Sequence, residues 1–279
     1  MDDPGKDPGM ESFPGSLLLV GAGKMGSAML RGWLDLGFDA CRLSVIEPQP
    51  SPDLFELAAR TGLRLTAPER PPEVLVLAVK PQMLDAAAAD LASLVSGETL
   101  VVSILAGKTI ANIVNRLPRA RAVIRAMPNL PAAIGRGITG AAANPAVTSV
   151  QRQIADTLLS GVGQVEWLPD ESLIDAVTAV SGSGPAYVFY LVECLAQAAI
   201  AAGLPPEMAD RFARATVEGA AELMHHATET SPAQLRENVT SPGGTTAAAL
   251  EVLMAQDGLA SLMQKAVAAA KRRADELSG

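Results

Sequence analysis

A short apolar run, Leu17-Leu18-Leu19-Val20, breaks into Gly21-Ala22-Gly23-Lys24-Met25-Gly26 and resumes as the helical-looking segment Ser27 to Leu34. No other stretch narrows the folds open to this chain as much. Glycines at the first, third and sixth positions between a strand and a helix suit a backbone that bends tightly, approaches an anion and packs helix on strand. Gly21 permits the turn, Gly23 lets the main chain come close to a pyrophosphate, and Gly26 removes a Cβ that would hold the helix off the strand. The helix start presents unpaired N–H groups to that anion, and Ala22, Lys24 and Met25 complete the cradle. Met25, Met29 and Trp33 share one helical face. Alone, the pattern also fits an ordinary glycine-containing turn, so its surroundings decide.

Those surroundings alternate between strand and helix. Arg42 to Glu47 reads as a second strand, ended by Pro48, Pro50 and Pro52, and Asp53 to Arg60 as a helix. Leu63 to Leu65 reads as a brief third strand. Val74 to Val79 is a continuous apolar run of the kind buried on both faces of a parallel sheet, closed by Lys80-Pro81. A helix over Gln82 to Leu91, a strand over Leu100 to Ile104, the small-residue turn Ala106-Gly107, a helix over Ile110 to Leu117 and a strand over Ala122 to Ala126 follow. Further on come a strand near Ile138 to Ala142, a helix near Val150 to Leu159 and a strand near Gln164 to Trp167. The pattern predicts an α/β, Rossmann-like dinucleotide-binding domain over residues 16–168, after a flexible N-terminal tail over residues 1–15.

Within that domain Glu47 ends the second strand, 21 residues beyond Gly26, where such folds place an acid on the ribose hydroxyls. The same charge would repel a ribose phosphate. Between NADPH and NADH it therefore favours NADH, unless Arg42, Arg60 or Arg64 folds over the site. Val79, Lys80, Ala106, Gly107 and Asn129 fall at the ends of later strands, on the side where a nicotinamide would lie. Small residues at 106 and 107 would let a flat ring rest against the backbone.

The balance of 22 Lys and Arg against 30 Asp and Glu leaves a net charge of −8. That sign repels phosphate backbones and anionic lipid, so neither nucleic acid nor membrane is an expected partner. Cys41 and Cys194, far apart and inside apolar segments, read as small buried hydrophobes, not as a disulfide or a metal site. The N-terminal tail lacks the basic-then-apolar order of a signal peptide, and every apolar run is interrupted short of the roughly 20 residues of a membrane span. The expectation is a soluble, cytoplasmic protein.

From residue 169 to 279 the chain is expected to be all-α, a helical domain for substrate binding and dimerisation. Between Pro185 and Ala202 the only charge is Glu193, with apolar residues on every side, so this helix needs protein all round it. A small helical domain could hardly enclose it, which makes a homodimer the smallest expected assembly. His225 and His226 are adjacent without metal-ligand spacing and read as surface residues at a helix end. No lysine occurs between Lys108 and Lys265. Dehydrogenases of β-hydroxy acids and ketopantoate reductases use a lysine in the first long helix of their second domain to move a proton at oxygen, so ketone reduction is disfavoured here. What remains is Asn238-Val239-Thr240-Ser241-Pro242-Gly243-Gly244-Thr245-Thr246 before the helix Ala247 to Met254. Its glycines force a turn, and free N–H groups of Gly244, Thr245 and Thr246 would open the helix towards a carboxylate. The plainer alternative is a serine-capped helix start.

Val239 to Leu250 resembles the signature of the pyrroline-5-carboxylate reductases. The likeness continues through Ala78-Val79-Lys80-Pro81, Arg125-Ala126-Met127-Pro128-Asn129, Ile174-Asp175-Ala176-Val177 and Ser181-Gly182-Ser183-Gly184-Pro185-Ala186-Tyr187. These motifs run in order from about Leu17 to the C-terminal helix. The resemblance implies the last step of proline biosynthesis, hydride transfer from NAD(P)H to the C=N carbon of 1-pyrroline-5-carboxylate, by a homodimer or larger ring. A cyclic imine is readily protonated, so its reduction does not need the absent lysine. By the same resemblance, Thr246 hydrogen-bonds the ring nitrogen and the Gly243 to Thr246 turn holds the carboxylate. Asn238 and Glu171 match positions that line the substrate or cofactor site, and Lys80 matches the cofactor-side motif and is the second candidate catalytic side chain. Two departures stand out: Leu130 where the family often has Thr, and Glu47-Pro48 in place of the small hydroxyl or amide residues of NADPH users. A related imine or keto-acid reductase and a non-catalytic dinucleotide sensor are the rival readings. If the central helices are shared between subunits, the two glycine turns would face each other across the dimer.

Overall fold

Seven short strands pair into one sheet in the order β2-β1-β3-β4-β5-β6-β7, in a computed structural model that describes residues 13–278. The strands are β1 (Leu17–Val20), β2 (Leu43–Ile46), β3 (Val74–Leu77), β4 (Leu100–Ser103), β5 (Ala122–Met127), β6 (Gly137–Ala143) and β7 (Gly163–Trp167). The first five are parallel; β6 runs antiparallel to β5, and β7 parallel to β6. Every residue of β1, β3 and β4 is buried, which is why these segments are unbroken apolar runs with no polar alternation. Leu63–Leu65 does not form the expected strand. Only Arg64 bridges to Ser44, and the prolines and turn residues that follow lead the chain away from the sheet edge.

The chain returns between these strands through α1 (Lys24–Asp35), α2 (Pro52–Thr61), α3 (Leu84–Leu91), α4 (Ile110–Arg116) and α5 (Ser149–Ser160). Two apolar cores result, one on each face of the sheet. One gathers Leu17, Leu19, Met29, Trp33 and Val45 with the inner face of α5; the other gathers Leu18, Val20, Leu75, Leu84 and Ile113. Trp33 lies on the predicted inner face of α1 and is fully buried, with its indole N–H donating to the Leu158 carbonyl at 2.7 Å. Gly32 touches the end of α5 so closely that a Cβ there would stand 2.2 Å from the Gly161 carbonyl oxygen. This contact sets the seat of α1 and thereby of the glycine turn at its head.

Beyond β7 the chain is helical: α6 (Ile174–Val177), a π-turn over Thr178–Gly182, α7 (Gly184–Ala201), α8 (Pro206–His226), α9 (Pro232–Asn238), α10 (Thr245–Leu253) and α11 (Leu259–Ser278). The chain divides into two compact units. The first runs to Gly182 and also takes in the last turns of α11 from Ala270; the second is Ser183–Ala269. Residues 169–182, on the helical side of the boundary drawn from sequence, thus cluster with the sheet.

Residues 1–12 of the expected flexible tail lie outside the described residues, but its end is tied down. Phe13 packs on Phe38 in a tilted arrangement with ring centroids 5.3 Å apart, and Arg42 donates to the carbonyls of Pro14 and Gly15. Cys41 is exposed, not buried as expected, because it sits on a one-turn 3-10 segment before β2; Cys194 is half-buried, and both are free thiols. The helical run Glu171–Ala201 corrects the expectation that no segment is apolar enough for a membrane span. By length and composition alone, with a mean hydropathy of 1.3, it is long and apolar enough to cross one. The Gly182 to Pro185 cluster does not break it, since Gly184 and Pro185 form the first turn of α7.

Candidate active site

The glycine turn sits where the strand order reverses, between β1 and β3, with β2 on the other side of β1. Ligands of open α/β sheets bind at this crevice, outside the carboxyl ends of the strands. Gly21 has φ +94°, and its N–H donates to the Ile46 carbonyl at 2.9 Å. A Cβ on Gly21 would stand 2.7 Å from the Ala78 carbonyl oxygen, and one on Gly26 would stand 2.2 Å from the Gly21 carbonyl oxygen. Gly23 is different: it is exposed, and a Cβ there would meet nothing within 4 Å. The first and last glycines thus close the turn internally, while the middle one leaves its outer side open. Gly23 is also the N-cap of α1, with no side-chain cap and no acid in the first turn. Helices α2, α4, α5 and α9 begin at Ser51, Thr109, Thr148 and Ser231, each with its hydroxyl on a backbone N–H. The open start of α1 fits a dinucleotide pyrophosphate.

Glu47 projects onto the same turn. One carboxylate oxygen accepts the Ala22 N–H at 2.8 Å and the other accepts the Gln49 N–H at 3.1 Å, which holds the side chain half-buried at the mouth of the crevice. Arg42 does not fold over it. Its guanidinium faces Pro14 and Gly15 and lies 5.6 Å from the Phe38 ring centroid.

Val79, Lys80, Ala106, Gly107 and Asn129 all follow the carboxyl ends of parallel strands, so the fold brings them to the same edge as the glycine turn. Lys80 is exposed and caps a 3-10 turn, Ala106 is exposed, and Gly107 has φ +68°. Asn129 is buried, and its carboxamide oxygen accepts the Ile138 N–H at 3.0 Å. This bond ties β5 to β6, a structural task for a side chain expected on the cofactor. Leu130 follows it on a 3-10 turn and is 49% exposed.

Glu171 belongs to this first unit too. One of its oxygens accepts the Ile110 N–H at 2.8 Å and the Arg125 guanidinium at 3.1 Å. Arg125, buried in the middle of β5, also pairs with Asp175 at 3.1 Å, and the Ser278 hydroxyl donates to the same Asp175 oxygen at 2.9 Å. Sequence reasoning missed this cluster. The signal was a lone arginine inside an otherwise apolar strand, which needs buried acids to accompany it. Asp170 caps the turn that carries Glu171, and the Ser172 hydroxyl and N–H hold its carboxyl below the usual carboxylate range.

In the second unit, Asn238 ends α9, Gly243 and Gly244 lie on the connection that follows, and Thr245 and Thr246 open α10. Gly243 has φ +69°, and Gly244 is the N-cap of α10, with no side-chain cap and no acid in the first turn. A serine-capped start is therefore not what forms. Ser241 instead packs on Gly244, where a Cβ would stand 2.4 Å from the Ser241 oxygen. One detail differs from expectation: the Gly244 N–H is taken by the Ser241 carbonyl at 3.0 Å, so the open donors begin at Thr245. Asn238 accepts from Gln234 at 3.1 Å, and Thr246 is half-buried. His225 and His226 end α8 as exposed residues, with His226 3.0 Å from Glu222.

A doubly wound sheet with an open glycine turn at its switch point, followed by a helical unit, defines the class: a dinucleotide-binding oxidoreductase. Residues 16–107 match the family model described as NADP oxidoreductase, coenzyme F420-dependent, and residues 171–277 match that described as pyrroline-5-carboxylate reductase dimerisation. The pyrroline-5-carboxylate reductase of Synechocystis is 50% identical over 205 residues, covering 74% of this chain and 75% of its own. The Coxiella burnetii structure of such an enzyme superposes with a TM-score of 0.86 at 36% identity, over 95% of this chain and 99% of that one. That of Plasmodium falciparum pyrroline carboxylate reductase with NADP bound gives 0.76 at 26% identity, over 95% and 98%. The chain belongs to the pyrroline-5-carboxylate reductase family.

Proposed function

We propose that the protein reduces 1-pyrroline-5-carboxylate to proline, the closing step of proline biosynthesis in the cytoplasm, as a homodimer or larger ring. The observation that carries this reading is that the family's motifs lie on a chain with two glycine-led helix starts, both left uncapped. One suits a pyrophosphate and the other a carboxylate. The nicotinamide dinucleotide supplies the hydride. The protein's own residues bind, orient and exclude water. Gly21 to Gly26 hold the pyrophosphate, with Lys24 and Met25 on the first turn of α1, and Glu47 accepts from the adenosine ribose hydroxyls. Val79, Lys80, Ala106, Gly107 and Asn129 border the nicotinamide. The N–H groups of Thr245 and Thr246, at the turn formed by Gly243 and Gly244 after Asn238, hold the substrate carboxylate. The Thr246 hydroxyl aligns the ring nitrogen, and Lys80 is the cofactor-side group able to manage a proton. Because an iminium already attracts hydride at carbon, fixing the two rings supplies most of the catalysis such a site needs.

Glu47 supports NADH as the preferred cofactor, since its carboxylate is fixed where a 2′-phosphate would bring further negative charge. The testing experiment is imine-dependent oxidation of NADH and of NADPH by the purified protein. Turnover of pyrroline-5-carboxylate with a higher kcat/KM for NADH is the expected result. Turnover of a keto acid in place of the imine overturns the substrate, and a large NADPH advantage overturns the role given to Glu47.

A further inference from the structure

The turn Ala106-Gly107 is held at Gly107 and just beyond it by one charge cluster centred on a buried arginine. Arg125 is 3% exposed on its side chain. Its guanidinium donates to Glu171 and to Asp175, each at 3.1 Å, and to the Ser278 hydroxyl oxygen at 3.3 Å. Just beyond the turn, the Glu171 oxygen that meets Arg125 also accepts the N–H of Ile110, the first residue of α4. A negative charge there is favoured by the helix dipole as well as by the hydrogen bond. At the turn itself, the last turn of α11 lies against Gly107: a Cβ on Gly107 would stand 2.9 Å from the Leu277 carbonyl oxygen. The next residue, Ser278, locks that turn of helix to Asp175 and Arg125. Two acids and a hydroxyl thus satisfy a buried arginine and, through their other contacts, fix the main chain at Gly107 and just after it, in a turn whose own side chains are a methyl and a hydrogen.

We infer that Arg125, Glu171, Asp175 and Ser278 are positioning residues that set the Ala106-Gly107 turn, and through it the nicotinamide half of the bound dinucleotide. The inference rests on the proposed placement of the nicotinamide beside that turn. It assigns Glu171 to holding the cofactor-side backbone, and it gives the last turn of α11 a task in the site. A small loss of placement at the reacting ring costs rate far more than it costs binding of the remote half.

The test uses Ser278, which can lose its hydroxyl without stranding a buried charge, since Arg125 and Asp175 still pair with each other. Calorimetric affinity for the whole dinucleotide and for ADP-ribose, which lacks the nicotinamide, is measured beside steady-state imine reduction. Ser278→Ala should lower kcat about tenfold while ADP-ribose affinity stays within about twofold of wild type, and Ser278→Thr should restore the rate. Gly107→Ala, which presses on Leu277, should reproduce the same split. Equal weakening of dinucleotide and ADP-ribose, or unchanged kinetics in Ser278→Ala, overturns the inference. Wild-type protein that binds dinucleotide yet reduces no imine defeats the proposed function instead. In that event calorimetry decides alone: Ser278→Ala must weaken the whole dinucleotide and spare ADP-ribose, or the positioning role is overturned.

Discussion

Glu47 and Thr246 decide different questions, and each can be tested by removing one group. The Glu47 carboxylate is preorganised by the Ala22 and Gln49 N–H groups, so its charge stays at the crevice whether or not a ribose is there. Glu47→Gln removes the charge while keeping a side-chain oxygen of the same reach to accept the Ala22 N–H. The ratio of kcat/KM for NADH over NADPH should fall by on the order of tenfold or more, as expected for relief of a nearby like-charge contact. An unchanged ratio would place cofactor choice elsewhere. Thr246 is the second residue of an uncapped helix. Losing a positioned hydrogen bond to a charged ring nitrogen in Thr246→Ala should cost about 1.5–3 kcal/mol in kcat/KM. Binding of dinucleotide should be untouched, and wild-type kinetics would remove the hydroxyl from the mechanism.

At the scale of elements, the glycine spacing in residues 21–26 was legible because each glycine answers a local demand: a positive φ, an open approach and a close helix contact. The fully buried strands were equally plain, since the absence of polar alternation is itself the signature of a covered parallel strand. What the sequence hid was pairwise. Nothing local marks Leu63–Leu65 as a single bridge, Asn129 as a tie to Ile138, or Glu171 as the partner of Arg125 from 46 residues away. Each depends on what the fold brings opposite. Gly32 belongs to the same group, for only the packing of α1 on the end of α5 shows why it has no side chain. Gly32→Ala should destabilise the protein by about 1–3 kcal/mol through overpacking, read as a lower denaturant midpoint. A midpoint equal to wild type would mean the contact relaxes freely. Acid should act on the turn before α6 in a defined direction. Because the folded-state pKa of Asp170 is lowered, its contribution is complete above the ordinary carboxylate value and is lost only as pH falls through the lowered one. An NMR titration placing the Asp170 carboxyl at or above 3.8 would contradict the cap.

The whole molecule poses one physical problem that a single chain leaves unsolved. Four consecutive residues of α7, Val188, Phe189, Tyr190 and Leu191, are 45%, 56%, 65% and 49% exposed. At about 100° per residue they point to every side of the helix, so packing on α8 alone does not cover them. Their side chains are large, and apolar area returned to shelter is worth about 25 cal/mol per Å². The family model matched over this region is a dimerisation domain, and a second copy of the same apolar surface is the cover that suits it. The run's capacity by length and composition to cross a membrane makes a bilayer the competing cover, and the two separate cleanly by experiment. Sedimentation of the wild-type protein without detergent should show at least twice the chain mass. Phe189→Arg combined with Tyr190→Asp, which places charges on two sides of α7, should shift that species towards monomer, while dinucleotide binding by the sheet unit persists. A monomeric wild type, or wild-type protein that floats with phospholipid vesicles and assembles only there, would transfer the helix from a subunit interface to a membrane.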